Sequence, residues 1–154
     1  MFTQLDLTYL AGFFDADGSV SIVRLKNKEL VRDFTYQVQV IIAQNPPCPI
    51  MDELLEEYGG KIYKHSRHKV TQVWRCPASS HIRFLKAILP YLRIKKEAAQ
   101  IAIEYQVRVN QNPTFRPVSD DEFAKRTALY ERMQDFFDSR GLLNHSRGRE
   151  RKAA

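Results

Sequence analysis

Two cysteines, Cys48 and Cys76, are all that 154 residues contain. That is too few for a disulfide scaffold, and both are expected to be reduced and structural. No apolar run reaches the length needed to span a bilayer, so a transmembrane segment is excluded. The opening residues Met1-Phe2-Thr3-Gln4-Leu5-Asp6 lack the basic start of a secretory signal. The expectation is an intracellular protein in cytoplasm, nucleoid or organelle, with no membrane partner. Four histidines are also few. His65 and His68 have a spacing seen in metal sites, but no Cys or further His clusters near them, which argues against zinc.

What the chain does have is a core and a positive charge. Hydrophobic residues make up 44% of the sequence, and nine Phe, seven Tyr and one Trp suit a folded domain. The net charge of +6 favours a polyanionic partner, most often nucleic acid.

The stretch that organises the rest is Leu10-Ala11-Gly12-Phe13-Phe14-Asp15-Ala16-Asp17-Gly18. It has no β-branched residue, and Thr3 or Asp6 can cap the helix that contains it. Two carboxylates, Asp15 and Asp17, arrive with one residue between them just before a glycine. Ser19-Val20-Ser21-Ile22 then alternates as a strand does. A helix thus presents acids where a sheet begins.

A second strand is clearer. Tyr36, Val38, Val40 and Ile42 fall on one face; Thr35, Gln37, Gln39 and Ile41 fall on the other. Solvent faces favour Lys and Glu, so a row of amides suits a surface that reads hydrogen-bonding edges. Pro49 starts a helix with Ile50, Met51, Leu54, Leu55 and Tyr58, ended by Gly59-Gly60. Strands Lys61–His65 and Val70–Arg75 flank a polar turn. A helix capped by Ser79 or Ser80 carries Ile82, Leu85 and Ile88. Another carries Ala98, Ile101, Ala102, Tyr105 and Val109. Ser119 and Glu122 form a capping box for a last helix that closes near Gly141. The reading is an α+β fold: one antiparallel sheet, helices on one face, the other face open. The expected organisation is a core over 1–112, a helical extension over 113–143 and a basic tail over 144–154. The acidic motif has no internal repeat.

Leu10–Gly18 resembles the LAGLIDADG motif, and the order αββαββα is that family's fold, here with extra C-terminal helices. Leu89-Pro90-Tyr91-Leu92-Arg93-Ile94-Lys95 carries a second match. The chain resembles a homing endonuclease of the single-motif, homodimeric type. The resemblance implies a double-stranded DNA target of pseudo-palindromic sequence, cut by metal-dependent phosphodiester hydrolysis, in the service of intron mobility. It implies that Asp17 and the backbone carbonyl of Ala16 hold a divalent cation, Mg²⁺, with Mn²⁺ or Ca²⁺ able to substitute in binding. It also implies catalytic roles for Gln44 and Lys95, and a dimer interface through Leu10, Ala11, Gly12 and Asp15, with a cap as the alternative role of Asp15. No small-molecule cofactor is expected. Some relatives carry a basic residue just after the strand-end Gln; this chain has Asn45-Pro46-Pro47-Cys48.

The candidate DNA-reading set is Ser19, Ser21, Val23, Thr35, Gln37, Gln39, Ile41, Lys61, Tyr63, His65, Arg67, Lys69, Gln72 and Trp74, with Lys64, Arg67, Lys69 and Arg75 as the candidate phosphate or base contacts. Gln pairs bidentately with adenine, and apolar groups meet thymine methyls. An intron-splicing maturase and a non-catalytic DNA-binding regulator are the alternative functions on the same fold.

Overall fold

The helix that bears the motif, α1 (Gln4–Asp17), starts at a capping box. The Thr3 hydroxyl accepts from the Asp6 N–H, and the Asp6 carboxylate accepts from the Thr3 N–H. The chain passes directly into β1 (Gly18–Lys26) and returns as β2 (Phe34–Gln44). After α2 (Ile50–Tyr58) come β3 (Lys61–Ser66) and β4 (Val70–Arg75), then α3 (His81–Ile88), α4 (Lys96–Gln111) and α5 (Asp120–Ser139). This computed structural model describes residues 1–66, 70–112 and 117–141. The turn residues Arg67, His68 and Lys69, the stretch 113–116 and the tail beyond 141 lie outside them.

The four strands form one antiparallel sheet in the order β1-β2-β4-β3. Alternation decides its two faces. Val20, Ile22, Val38, Val40, Ile42 and Trp74 are buried on one face against α1, α3 and α4. Each such side chain contributes about 1.5–3 kcal/mol by leaving water. Phe84 of α3 is a hub of this core, with ring edges against Phe14, Tyr58 and Trp74 at 5.6, 5.2 and 5.3 Å. The Trp74 indole N–H donates to the Gly59 carbonyl at 3.0 Å, which satisfies the one polar group it takes inside. At the far end of β2, Tyr36 stacks on Tyr130 and Phe123 at 4.7 and 5.6 Å and so docks α5 on the sheet.

Two helix starts differ from the sequence expectation. Ser80 makes no side-chain cap; its hydroxyl donates to the Tyr58 carbonyl instead, because the site is buried and that carbonyl needs a partner. At α5 the Ser119 hydroxyl accepts from the Glu122 N–H, but the Glu122 carboxylate is drawn to Arg108 and Arg126, at 2.9 and 3.0 Å, and does not close the box. Among the described residues, no helix is long and apolar enough to cross a membrane.

Candidate metal centre and nucleic-acid interface

Everything at the motif's end depends on how closely helix and strand are joined. Gly18 has φ −81°, a conformation open to any residue. What demands glycine is space: a Cβ there would lie 2.2–2.6 Å from ring carbons of Phe14. The ring of Phe14 packs on the bare backbone of Gly18, and Asp17 is the last helical residue before that contact.

The carboxylate of Asp17 is exposed. Its Oδ2 accepts from the Gln44 side-chain amide at 2.9 Å. The Asn45 N–H donates to Gln44 Oε1 at 2.8 Å, which fixes the amide with its N–H₂ toward Asp17. β1 and β2 bring these residues together, since Gly18 pairs with Ile42 and Gln44 lies two residues further on.

Lys95 approaches from the other side. Its ammonium donates to the carbonyls of Phe14 and Asp15 at 3.0 and 2.6 Å. These are C-terminal carbonyls of α1, where a cation complements the helix dipole. Burial pulls the Lys95 pKa below the ordinary lysine value, while Asp15 and Asp17 oppose that shift. Among the described residues the next carbonyl, that of Ala16, accepts no hydrogen bond. Asp17 and Ala16 thus offer hard oxygen donors, the chemistry Mg²⁺ prefers. Among the described residues no group of three or more His, Cys, Asp or Glu is gathered where it could hold a metal ion. Burial pushes the nearby Cys48 thiol pKa up, with Asp17 and Asp52 adding to the effect, so it stays a neutral thiol.

The sheet's open face starts beside this centre. Register places Ser19, Ser21 and Val23 opposite Ile41, Gln39 and Gln37, and Lys61 and Tyr63 opposite Arg75 and Val73. Gln37, Gln39, Lys61, Tyr63 and Arg75 line a cleft of about 390 Å³. Its donors and acceptors match the hydrogen-bonding edges of base pairs, and its two cations match phosphate.

A family model described as LAGLIDADG endonuclease matches residues 10–106, most of the chain. The chain belongs to that family. This LAGLIDADG chain shares its fold, though few of its residues, with several solved structures. The homing endonuclease I-CvuI, crystallised with the I-CreI target in the presence of Mg with the DNA not cleaved, is 18% identical, covers 86% of this chain and 82% of its own, and gives a TM-score of 0.71. The archaeal intron-encoded homing endonuclease I-Vdi141I, complexed with DNA, is 16% identical over 86% of this chain and 84% of its own, with a TM-score of 0.72. The meganuclease I-SmaMI, bound to uncleaveable DNA, is 21% identical over 81% of this chain but only 43% of its own, with a TM-score of 0.67. No curated protein matches the chain.

Within this LAGLIDADG fold, several expected positions move. Trp74 is wholly buried in the core and cannot read DNA. Gln72 shares its face, opposite Gln44 and Lys64, and is not on the open face. The reason is one register: once Tyr63 faces outward, Val73 does too, and the large indole turns inward. Thr71, Val73 and Arg75 take the open positions of β4. His65 pairs with Thr71 in the same register. Arg67 and Lys69 lie outside the described residues.

Leu10 and Ala11 are wholly buried in the chain's own core, so neither offers a side chain to a partner. Asp15 also turns inward. It accepts the backbone N–H groups of Arg93, Ile94 and Lys95 at 2.8, 3.2 and 2.9 Å and ties down the turn that leads into α4. The exposed stripe of α1 is Leu5, Tyr9, Gly12 and Ala16, with Leu5 and Tyr9 at 79% and 60% exposure. A Cβ on Gly12 would meet nothing within 4 Å, so nothing within this chain requires glycine there. The spacing of 4, 3 and 4 was the available signal for that stripe, but apolar residues surround this helix and mask it.

Proposed function

We propose that the chain is a site-specific endonuclease that cuts double-stranded DNA with Mg²⁺ as a homodimer, and that it serves intron mobility. The observation that carries the reading is the exposed carboxylate of Asp17, bonded by Gln44 and with Lys95 on the α1 carbonyls behind it, at the edge of a polar and basic sheet face. The relatives' structures on DNA, with Mg or Ca present, support the substrate and the kind of cation.

Asp17 and the Ala16 carbonyl would hold the cation, which would supply charge neutralisation at the scissile phosphate and activation of water. Gln44 orients solvent beside Asp17. Lys95 keeps positive charge behind the α1 C-terminus, where negative charge builds on phosphate in the transition state. Water oxygen bonds to phosphorus as one P–O ester bond breaks. Among the described residues no side chain stands beside Asp17 as a general base, so solvent takes the water proton and returns one to the leaving oxygen.

The second half of the ligand set comes from a second copy. Glycine within a helix costs about 1 kcal/mol relative to alanine. Gly12, between the exposed Tyr9 and Ala16, fits close approach of another helix backbone. Two copies present two open sheet faces, and their symmetry demands a near-palindromic target.

Selection of cleaved duplexes from a genomic or random pool with Mg²⁺ tests the reading: one family of related sites is expected, and failure to enrich any site sinks it. Sedimentation tests the assembly. Gly12→Leu is expected to keep the fold, because its side chain meets open space, and to lose the dimer. A dimer that survives this change rules out the α1 interface.

A further inference from the structure

The helix-covered face of the sheet is apolar through its middle, at Val20, Ile22, Val38, Val40, Ile42 and Trp74, and turns polar at the end that carries Asp17. There the register sets Gln44 opposite Gln72, and Gln72 opposite Lys64. Residues paired in this way project to the same side. Three polar side chains therefore stand in one row across β2, β4 and β3. Adjacent strands are roughly 4.8 Å apart, so the row spans roughly 10 Å between its outer Cα atoms. Its first member is bonded to Asp17. Among the described residues, neither the Gln72 amide nor the Lys64 ammonium has a hydrogen-bond or ion-pair partner. Gln72 is half-buried and Lys64 is exposed on the edge strand.

Charge gives the row a purpose. The proposed centre gathers Asp17 from each copy and a phosphodiester anion. Lys95 stands near, but its ammonium is already bonded to two carbonyls of α1. Residues 45–48, which follow Gln44, offer no cation. Lys64 has an ammonium free of such partners among the described residues, and four methylenes with which to reach along the row.

We propose that Lys64 is a second cationic group of the Asp17 centre, and that Gln72 positions it and the solvent between it and Gln44. This rests on the endonuclease reading above. Both are positioning residues: Gln72 holds water next to the Gln44 amide, and Lys64 offsets the negative charge that collects as water adds to phosphorus.

The test compares Lys64→Met, Lys64→Arg and Gln72→Leu in single-turnover cleavage of a selected duplex, with duplex affinity measured in Ca²⁺. Lys64→Met and Gln72→Leu are expected to cleave about 10- to 100-fold more slowly, the range for partners that act through other groups at a metal site. Duplex affinity stays within about threefold, and Lys64→Arg recovers most of the rate. A second arm titrates Mn²⁺ alone into the protein. Loss of a nearby positive charge tightens Mn²⁺ binding about threefold in Lys64→Met. Lys86→Met, an exposed change on α3, leaves it unaltered. An unchanged cleavage rate with weaker, less salt-sensitive duplex binding overturns the proposal, because Lys64 is then a phosphate contact. Unchanged Mn²⁺ affinity overturns it even if the wild-type chain cuts no duplex, the result that sinks the endonuclease reading itself.

Discussion

Asp15 and Asp17 are two residues apart at one helix end, yet they live in opposite states. Asp15 receives three backbone N–H groups across the gap to α4. Its hydrogen-bonding capacity is filled by atoms that cannot leave, and it ties the α1 terminus to the start of another helix. Asp17 receives one side-chain amide and is otherwise exposed. The comparison gives a physical criterion for separating a structural acid from a chemical one. Asp15 gives most of its lone pairs to backbone; Asp17, the acid to which the proposed function assigns the chemistry, keeps most of its own open.

The most direct way to break the comparison is to neutralise each acid. Asp17→Asn is expected to lower single-turnover cleavage by about 10³-fold or more, the scale of losing a group that acts only on the reacting centre. Binding of the same target in Ca²⁺ persists. An Asn variant that cuts normally would show the two acids to be equivalent.

Lys95 sharpens the contrast, since it touches the carbonyl of one acid and feels the charge of both. Its folded-state pKa is depressed by burial, so its positive charge is lost at a pH below the ordinary lysine value of 10.5. If the charge serves cleavage, the rate falls as pH rises through that depressed value. Lys95→Met is expected to remove this alkaline limb and to slow cleavage about 100-fold. A pH–rate profile with the limb intact in the variant would dissociate Lys95 from the chemistry. For stability the sign is opposite: the unfolded chain binds the extra proton, so folding is favoured as pH rises through the same window.

Asp15→Asn acts through the fold. Weakened acceptors for three N–H groups are expected to lower unfolding free energy by about 2 kcal/mol, read as a reduced urea midpoint at unchanged slope. Slower cleavage should follow from the displaced start of α4. An effect of the same order is expected of Gly18→Ala. Its methyl group must push aside the Phe14 ring, an overpacking change of about 1–3 kcal/mol. Ring movement should also displace Asp17, visible as slower cleavage at saturating enzyme. A variant equally stable and equally active would mean that the ring contact sets nothing.

Much of this architecture was legible from residue types. The alternation through β2 separated Val38, Val40 and Ile42 from Gln37, Gln39 and Ile41, and the burial follows that division. Helix periodicity located α2, α3 and α4. Legibility ended where two faces offered equal chemistry. β4 alternates Gln72 and Trp74 with Val73 and Arg75, so polarity alone could not orient it. Burial of an indole with a waiting carbonyl decided the matter. α1 failed for a related reason. With Leu5, Leu7, Tyr9, Leu10, Ala11, Phe13 and Phe14 all around it, its inward face depends on what the sheet presents. The role of Asp15 needed three N–H groups some eighty residues away, which no local pattern encodes.

The ring of Phe14 lying on Gly18 also separates two evolutionary tasks. It fixes the bearing of Asp17 from beneath the sheet, by a contact that uses none of the side chains on the open face. Under the proposed function, exchanging Ser19, Ser21, Gln37, Gln39 and Arg75 would change the target while Asp17 keeps its aim. Vocabulary and blade are held by different atoms, and the joint between them is one residue long.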